Sequence, residues 1–180
     1  KGKLSLNMNS MVNPKAYLSD KLFQDDLEKV PTRNGYGEGL VQAGEENKQV
    51  VVLCADLTES TRTEEFSKRF PERFIEVGVA EQNMASLAAG MALARKIPFI
   101  SSYATFSPGR NNEQIRTTIA INNVNVKIAG AHAGISVGPD GATHQAIEDI
   151  ATMRVMANMK IFVPCDAIEA RRATVVAAQI

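Results

Sequence analysis

The sequence predicts an α/β fold, a mainly parallel β-sheet sandwiched between helices. Three observations carry this. Short apolar runs rich in Val and Ile recur along the chain, as buried parallel strands require. Segments of helical periodicity separate them in regular order, the signature of alternating strand and helix. Turn-like residues flank each run. Right-handed crossovers then place helices on both faces of the sheet. No internal repeat or low-complexity segment competes with this reading.

In chain order, residues 1–20 are polar and irregular, with Asn7, Asn9, Asn13 and Pro14, and read as a tail or linker. One domain is expected over 21–180, a length that can bury a substantial core. Gly35-Tyr36-Gly37-Glu38-Gly39 has neither the spacing nor the preceding strand of a dinucleotide fingerprint, and reads as the opening of a helix. Strands are predicted over Val50–Ala55, Phe74–Val77, Phe99–Ala104, Val124–Ala129 and Lys160–Val163. Between them, Met84, Leu87, Ala88 and Met91 share one helical face. So do Ile115 and Ile119, and then Ile147, Ile150 and Ala151. Asp166 and Glu169 form a capping-box-like start to the last helix.

Composition narrows the function. Lys plus Arg is 20 and Asp plus Glu is 20, so the formal net charge is zero. That balance lacks the basic footprint of a nucleic-acid binder and gives no support for recruitment to an anionic membrane. No apolar run approaches the roughly 20 residues of a membrane span. Cys54 and Cys165 lie far apart in apolar surroundings and read as buried or semi-buried free thiols of a reducing cytosol. Only His132 and His144 are present, there is no CxxC, and zinc-ligand spacing is absent. A P-loop and a GxSxG elbow are absent too. Lys1 stands where Met would begin a chain, and Val175–Ile180 still reads as helix. A piece of a longer protein is the expectation.

In parallel sheets ligands sit at the carboxyl ends of strands, so the residues after each run matter most. Asp56 to Thr61 offers a carboxylate and hydroxyls, or equally an ordinary capping loop. Glu81 falls at the start of a helix, where an acid is favoured by the macrodipole whatever its function. Phe106 stands at a strand-to-helix turn, free to stack on a planar ligand or to pack into the core. The loop from Gly130 to Gln145 is long, glycine-rich and holds both histidines, which favours a functional reading. Within it, Pro139-Asp140-Gly141 fits positions i+1 to i+3 of a type I turn.

Taken together, EVGVAEQNM, SSYATF and GPDGATHQAIEDIA, in this order, resemble the pyrimidine-binding domain of transketolase from about Thr32 onward. TFSPGRNNEQIR is closer to transketolases split into two chains than to the full-length form. The resemblance implies thiamine diphosphate as cofactor, with Mg2+ or another divalent ion held mainly by a second domain. Glu81 corresponds to the glutamate that hydrogen-bonds N1′ of the aminopyrimidine, and a carboxyl group is needed there because it must exchange a proton. Phe106 corresponds to the aromatic that stacks on the ring, with Tyr103 nearby, and Asp56 to an acid near the cofactor. His132, Asp140 and His144 correspond to positions around the sugar hydroxyls and phosphate, and Arg33 and Ser60 to phosphate contacts. Glu81, His132 and His144 are the implied catalytic groups.

The same resemblance implies transfer of a two-carbon ketol unit between sugar phosphates. The family's GDG diphosphate-and-metal motif is missing, and so is its third domain. The chain alone is therefore expected to be an incomplete, inactive part. It would need a separate diphosphate-binding chain, in a homodimer or heterotetramer, and a cytoplasmic location. Two alternatives stand beside this. One is a 1-deoxy-D-xylulose-5-phosphate synthase-like domain, against which the run after Phe106 argues. The other is a non-catalytic assembly module of the same fold. The β-chain of 2-oxoacid dehydrogenases lacks the paired-histidine loop and is a more distant relative.

Overall fold

The computed structural model describes residues 25–180; the expected N-terminal tail lies outside them. The order of the main elements is α1 (Thr32–Glu46), β1 (Val50–Cys54), α2 (Glu64–Arg69), β2 (Phe74–Glu76), α3 (Glu81–Leu93) and β3 (Ile97–Tyr103). There follow α4 (Asn112–Gln114), running on into a π-helical turn (Ile115–Ala120), β4 (Lys127–Ala131), α5 (Asp149–Arg154) and α6 (Ala167–Ala177). The four strands form one all-parallel sheet in the order β2-β1-β3-β4. This is the α/β sandwich the sequence predicts.

The two sides of β1 explain the layers. Val50 and Val52 face Leu40, Phe66 and Phe99, which buries α1 and α2 on one side with Ala178 closing it. Val51, Leu53 and Ala55 face Met84, Ala85, Ala88, Ile115 and Ile119, which buries α3 and the π-helical turn on the other. Every residue of β1 is buried, as a central strand with helices on both faces must be. The chain leaves β1 for β2 on one side, then crosses to β3 on the other. The order therefore reverses between β1 and β3, and a ligand crevice is expected at their carboxyl ends.

Helix α1 is held close by what it lacks. Gly35, Gly37 and Gly39 are buried. A Cβ on Gly35 would fall inside the backbone carbonyl of Ala167 at the start of α6, and one on Gly39 would lie 2.7 Å from Cβ of Thr174. Each helical glycine costs about 1 kcal/mol relative to Ala. Close backbone approach between α1 and α6 offsets that cost. Helix α6 begins as expected. Asp166 accepts from the amide of Glu169, while the Glu169 carboxylate accepts from the amide of Cys165.

Several expectations need correction. Strand β4 starts three residues later than predicted, because Val124 and Val126 pack against the core from a connecting loop. Lys160–Val163 forms no strand; Ile161, Phe162 and Val163 stand partly exposed. The apolar face of Ile147, Ile150 and Ala151 is not a core face. Ile147 precedes α5 and is 77% exposed, and Met153 alone of that helix is buried. On α3 the buried stripe is Met84, Ala85, Ala88 and Ala89, whereas Leu87 is exposed. Of the thiols, Cys54 is buried but Cys165 is exposed. The Ile115–Ile119 face is buried as predicted.

Candidate functional site

The carboxyl ends of β1, β3 and β4 bring most of the predicted residues near one another. Asp56 and His132 follow β1 and β4, and both take left-handed backbone angles, φ 57° and 54°. Non-glycine residues adopt that region at a cost, which tertiary structure must hold. For Asp56 the holder is Glu76, at the end of β2. The Glu76 carboxylate accepts from the amides of Asp56 (2.7 Å) and Gly78 (2.9 Å) and from the Thr58 hydroxyl (2.9 Å). One side chain thus ties the β1 loop, with Asp56 and Ser60, to the turn that leads into Glu81.

At the β3 and β4 ends, four rings cluster. Tyr103 lies 4.2 Å from His132 between centroids, 6.2 Å from His144 and 6.2 Å, stacked, from Phe106. His144 meets Phe106 edge-on at 5.3 Å. His144 Nδ1 pairs with the Thr143 hydroxyl at 2.8 Å. Arg33, from the first turn of α1, reaches across. Its Nη1 donates to the Ser60 carbonyl at 3.2 Å and lies 3.3 Å from Nε2 of His132. Arginine has no acceptor, so Nε2 must be the lone-pair nitrogen and the proton sits on Nδ1. That Nδ1 is buried and has no partner. The ring therefore carries a buried N–H with no protein acceptor.

Burial disfavours the imidazolium of His132 and the Arg33 charge repels it, so its pKa lies below the ordinary value; Asp140 works weakly in the opposite direction. The neutral ring can both donate and accept. Asp140 itself is exposed, in a turn closed by a Gly141 amide to Gly138 carbonyl contact, as the PDG pattern predicts.

Glu81 is the first residue of α3 and is 1% exposed. A buried carboxylate needs a partner. It has Arg110, whose Nη1 donates to Oε2 at 2.9 Å. The Arg110 guanidinium also lies over the Phe106 ring, 4.5 Å from its centroid. Asn111, fully buried, fixes the helix start by donating to the Glu81 carbonyl (2.9 Å) and to Ser107 Oγ (3.1 Å). The π-helical turn follows directly; such turns recur near functional sites.

The structure thus joins Arg33, Ser60, Tyr103, Phe106, His132 and His144 in one contiguous cluster and links Glu81 to it through Arg110. The Asp56 side chain stands exposed at the β1 end, apart from the rings. Sequence reasoning missed three residues. Arg110 and Asn111 had a signal, four and five positions after Phe106 in a turn. Glu76 had one as well, an acid at a strand's carboxyl end just before Gly78. Tyr36 adds a fourth polar anchor beneath the crevice, its hydroxyl 2.6 Å from Ser101 Oγ, with burial pushing its pKa up.

The family described as transketolase, pyrimidine binding domain, matches residues 28–180. A transketolase C-terminal section of Methanocaldococcus jannaschii is 53% identical over 134 residues, 74% of this chain and 42% of that protein. Human transketolase is 39% identical over 152 residues, 84% of this chain and 24% of that one. Among solved structures, a split-gene transketolase described as an inactive beta4 tetramer superposes with a TM-score of 0.75. It is 50% identical and covers 85% of this chain and 49% of that one. Transketolase of Campylobacter jejuni gives a TM-score of 0.75 at 31% identity, covering 83% and 24%. The chain spans less than half the length of each of these relatives.

Proposed function

Because the chain belongs to the transketolase pyrimidine-binding domain family, we propose that it supplies the aminopyrimidine and sugar-phosphate contacts of a split transketolase, completed by a separate diphosphate-binding chain. The observation that carries this is the pairing of a buried carboxylate, Glu81, with an aromatic face, Phe106, bridged by one planar cation. A planar, basic nitrogen heterocycle has the shape and polarity to make both contacts. The aminopyrimidine of thiamine diphosphate fits that donor set, with Glu81 on its ring nitrogen, Phe106 and Tyr103 along its face and Asp56 nearby. When bound, the cofactor supplies the electron sink for cleavage and formation of the ketol carbon–carbon bond. The divalent ion is assigned to the diphosphate-binding chain.

The remaining residues act on substrate. Glu81 holds and returns a proton at the ring nitrogen, a task glutamine could not perform. His132, in the ring cluster beside Arg33, stands for a sugar oxygen, and its neutral state suits proton exchange near pH 7. His144 and Asp140 stand on the same loop for the sugar hydroxyls. Arg33, permanently charged and planar, suits the substrate phosphate, with Ser60 beside it. Assembly as a homodimer or heterotetramer is part of this reading; the beta4 tetramer described for the split-gene relative supports an oligomer and nothing finer. So is a cytoplasmic location.

The experiment is a turnover assay of the full-length protein assembled with a diphosphate-binding chain, thiamine diphosphate and magnesium. Xylulose 5-phosphate plus ribose 5-phosphate should yield ketol transfer. Product only from pyruvate plus glyceraldehyde 3-phosphate would move the protein to the synthase. Silence in both, from an assembled complex, would favour a non-catalytic module.

A further inference from the structure

Arg110 touches both groups that the proposed function reserves for the aminopyrimidine. Its Nη1 donates to the buried Glu81 carboxylate at 2.9 Å, and its guanidinium carbon lies 4.5 Å from the Phe106 ring centroid. A guanidinium is flat, delocalised and edged with N–H donors. It therefore reproduces in one side chain the two features of the ring that would replace it: a face for stacking and an edge for hydrogen bonding. The arrangement is asymmetric. The Glu81 side chain is 2% exposed, while that of Arg110 is 46% exposed. Glu81 is fixed at the start of α3 by Asn111, whereas Arg110 can swing to solvent without dragging the fold.

We propose that Arg110 is a built-in occupant of the aminopyrimidine site, holding Glu81 and Phe106 in the cofactor-free chain and yielding its place when the cofactor binds. This rests on the proposed function above. Two consequences follow for the chain. While the arginine is seated the buried carboxylate has a partner, which avoids the full penalty of an unpaired buried charge. Cofactor affinity is reduced by the fraction of molecules in which the arginine is seated, because only the open state can bind. Arg110 is accordingly a positioning residue that sets the threshold for cofactor loading.

The test is equilibrium binding of thiamine diphosphate, with magnesium, to the full chain assembled with a diphosphate-binding subunit, read by calorimetry. Wild type is compared with Arg110→Met, which keeps an apolar stem and removes charge and plane, and with Arg110→Lys, which keeps charge alone. The Met variant should bind roughly tenfold tighter and the Lys variant about threefold tighter, within the range of ordinary coupling energies. Unchanged or weaker binding by Arg110→Met beside clear binding by wild type overturns the proposal alone. If Arg110→Met does not fold, as judged by circular dichroism, the Lys variant decides: tighter binding supports the proposal and unchanged or weaker binding overturns it. Assembled complexes of wild type and variants that take up no cofactor overturn the cofactor reading itself, and this proposal with it.

Discussion

Nε2 of His132 lies 3.3 Å from Nη1 of Arg33, although the two residues are 99 positions apart. The contact fixes the tautomer of the ring and leaves the buried Nδ1–H with no acceptor. Burial holds the ring neutral, and the positive charge kept beside the imidazole adds to that effect.

Replacing Arg33 with Met should therefore raise the pKa of His132, as read by the NMR titration of its ring protons. In the wild type the folded value lies below the unfolded value of about 6.5. The fold favours the neutral ring, so this contribution to stability is whole above the unfolded value. It is lost as pH falls through the window between the unfolded and the folded value. The Arg33→Met variant should show a smaller loss over that window, measured by urea unfolding at pH 7 and pH 5.5. An unshifted titration would remove Arg33 as the cause.

Glu81→Gln in the assembled enzyme should lower cofactor-dependent turnover by about 10²- to 10⁴-fold, the usual weight of a positioned proton-exchanging group. Assembly, followed by sedimentation, should be unaffected. Turnover that survives the change would strip Glu81 of its proton-exchange role.

Glu76→Ala removes three accepted hydrogen bonds at once and frees the left-handed Asp56. Because Glu76 is exposed, the stability loss should be modest, about 1 kcal/mol by denaturant titration. The larger effect should be a raised KM for the sugar phosphate with kcat nearly retained, since Ser60 and Asp56 share the loosened loop. A fall in kcat alone would argue that the tie serves Glu81 instead.

Gly35→Ala places a methyl group against the carbonyl of Ala167. Backbone must move, so a destabilisation of about 2 kcal/mol or more is expected, with α6 displaced. Urea unfolding measures it, and a variant as stable as wild type would mean that α1 and α6 can separate freely.

Much of this was legible before any coordinates. The runs at Val50, Phe74 and Phe99 became strands because Val- and Ile-rich segments buried on both faces have few other fates. Glu81, Phe106, His132 and His144 stood out because each follows a strand. What failed did so for tertiary reasons. Lys160–Val163 has the composition of a strand but no neighbour to pair with among the described residues. Ile147 and Ile150 have helical spacing, yet no layer covers them. Glu76 and Arg110 carried only a local signal of position, and what they hold was not legible because their partners, the Asp56 amide and the Glu81 carboxylate, lie 20 and 29 positions away.

The span between Arg33 and His132 also has a meaning in time. Synthesis delivers roughly 5 to 20 residues per second, so the 99 positions between them take about 5 to 20 seconds to emerge. Within that interval β1, β2 and β3 emerge in turn, and β4 comes last. The site has no local precursor in a growing chain, and no excised peptide could carry it; it exists only once the last strand closes the sheet.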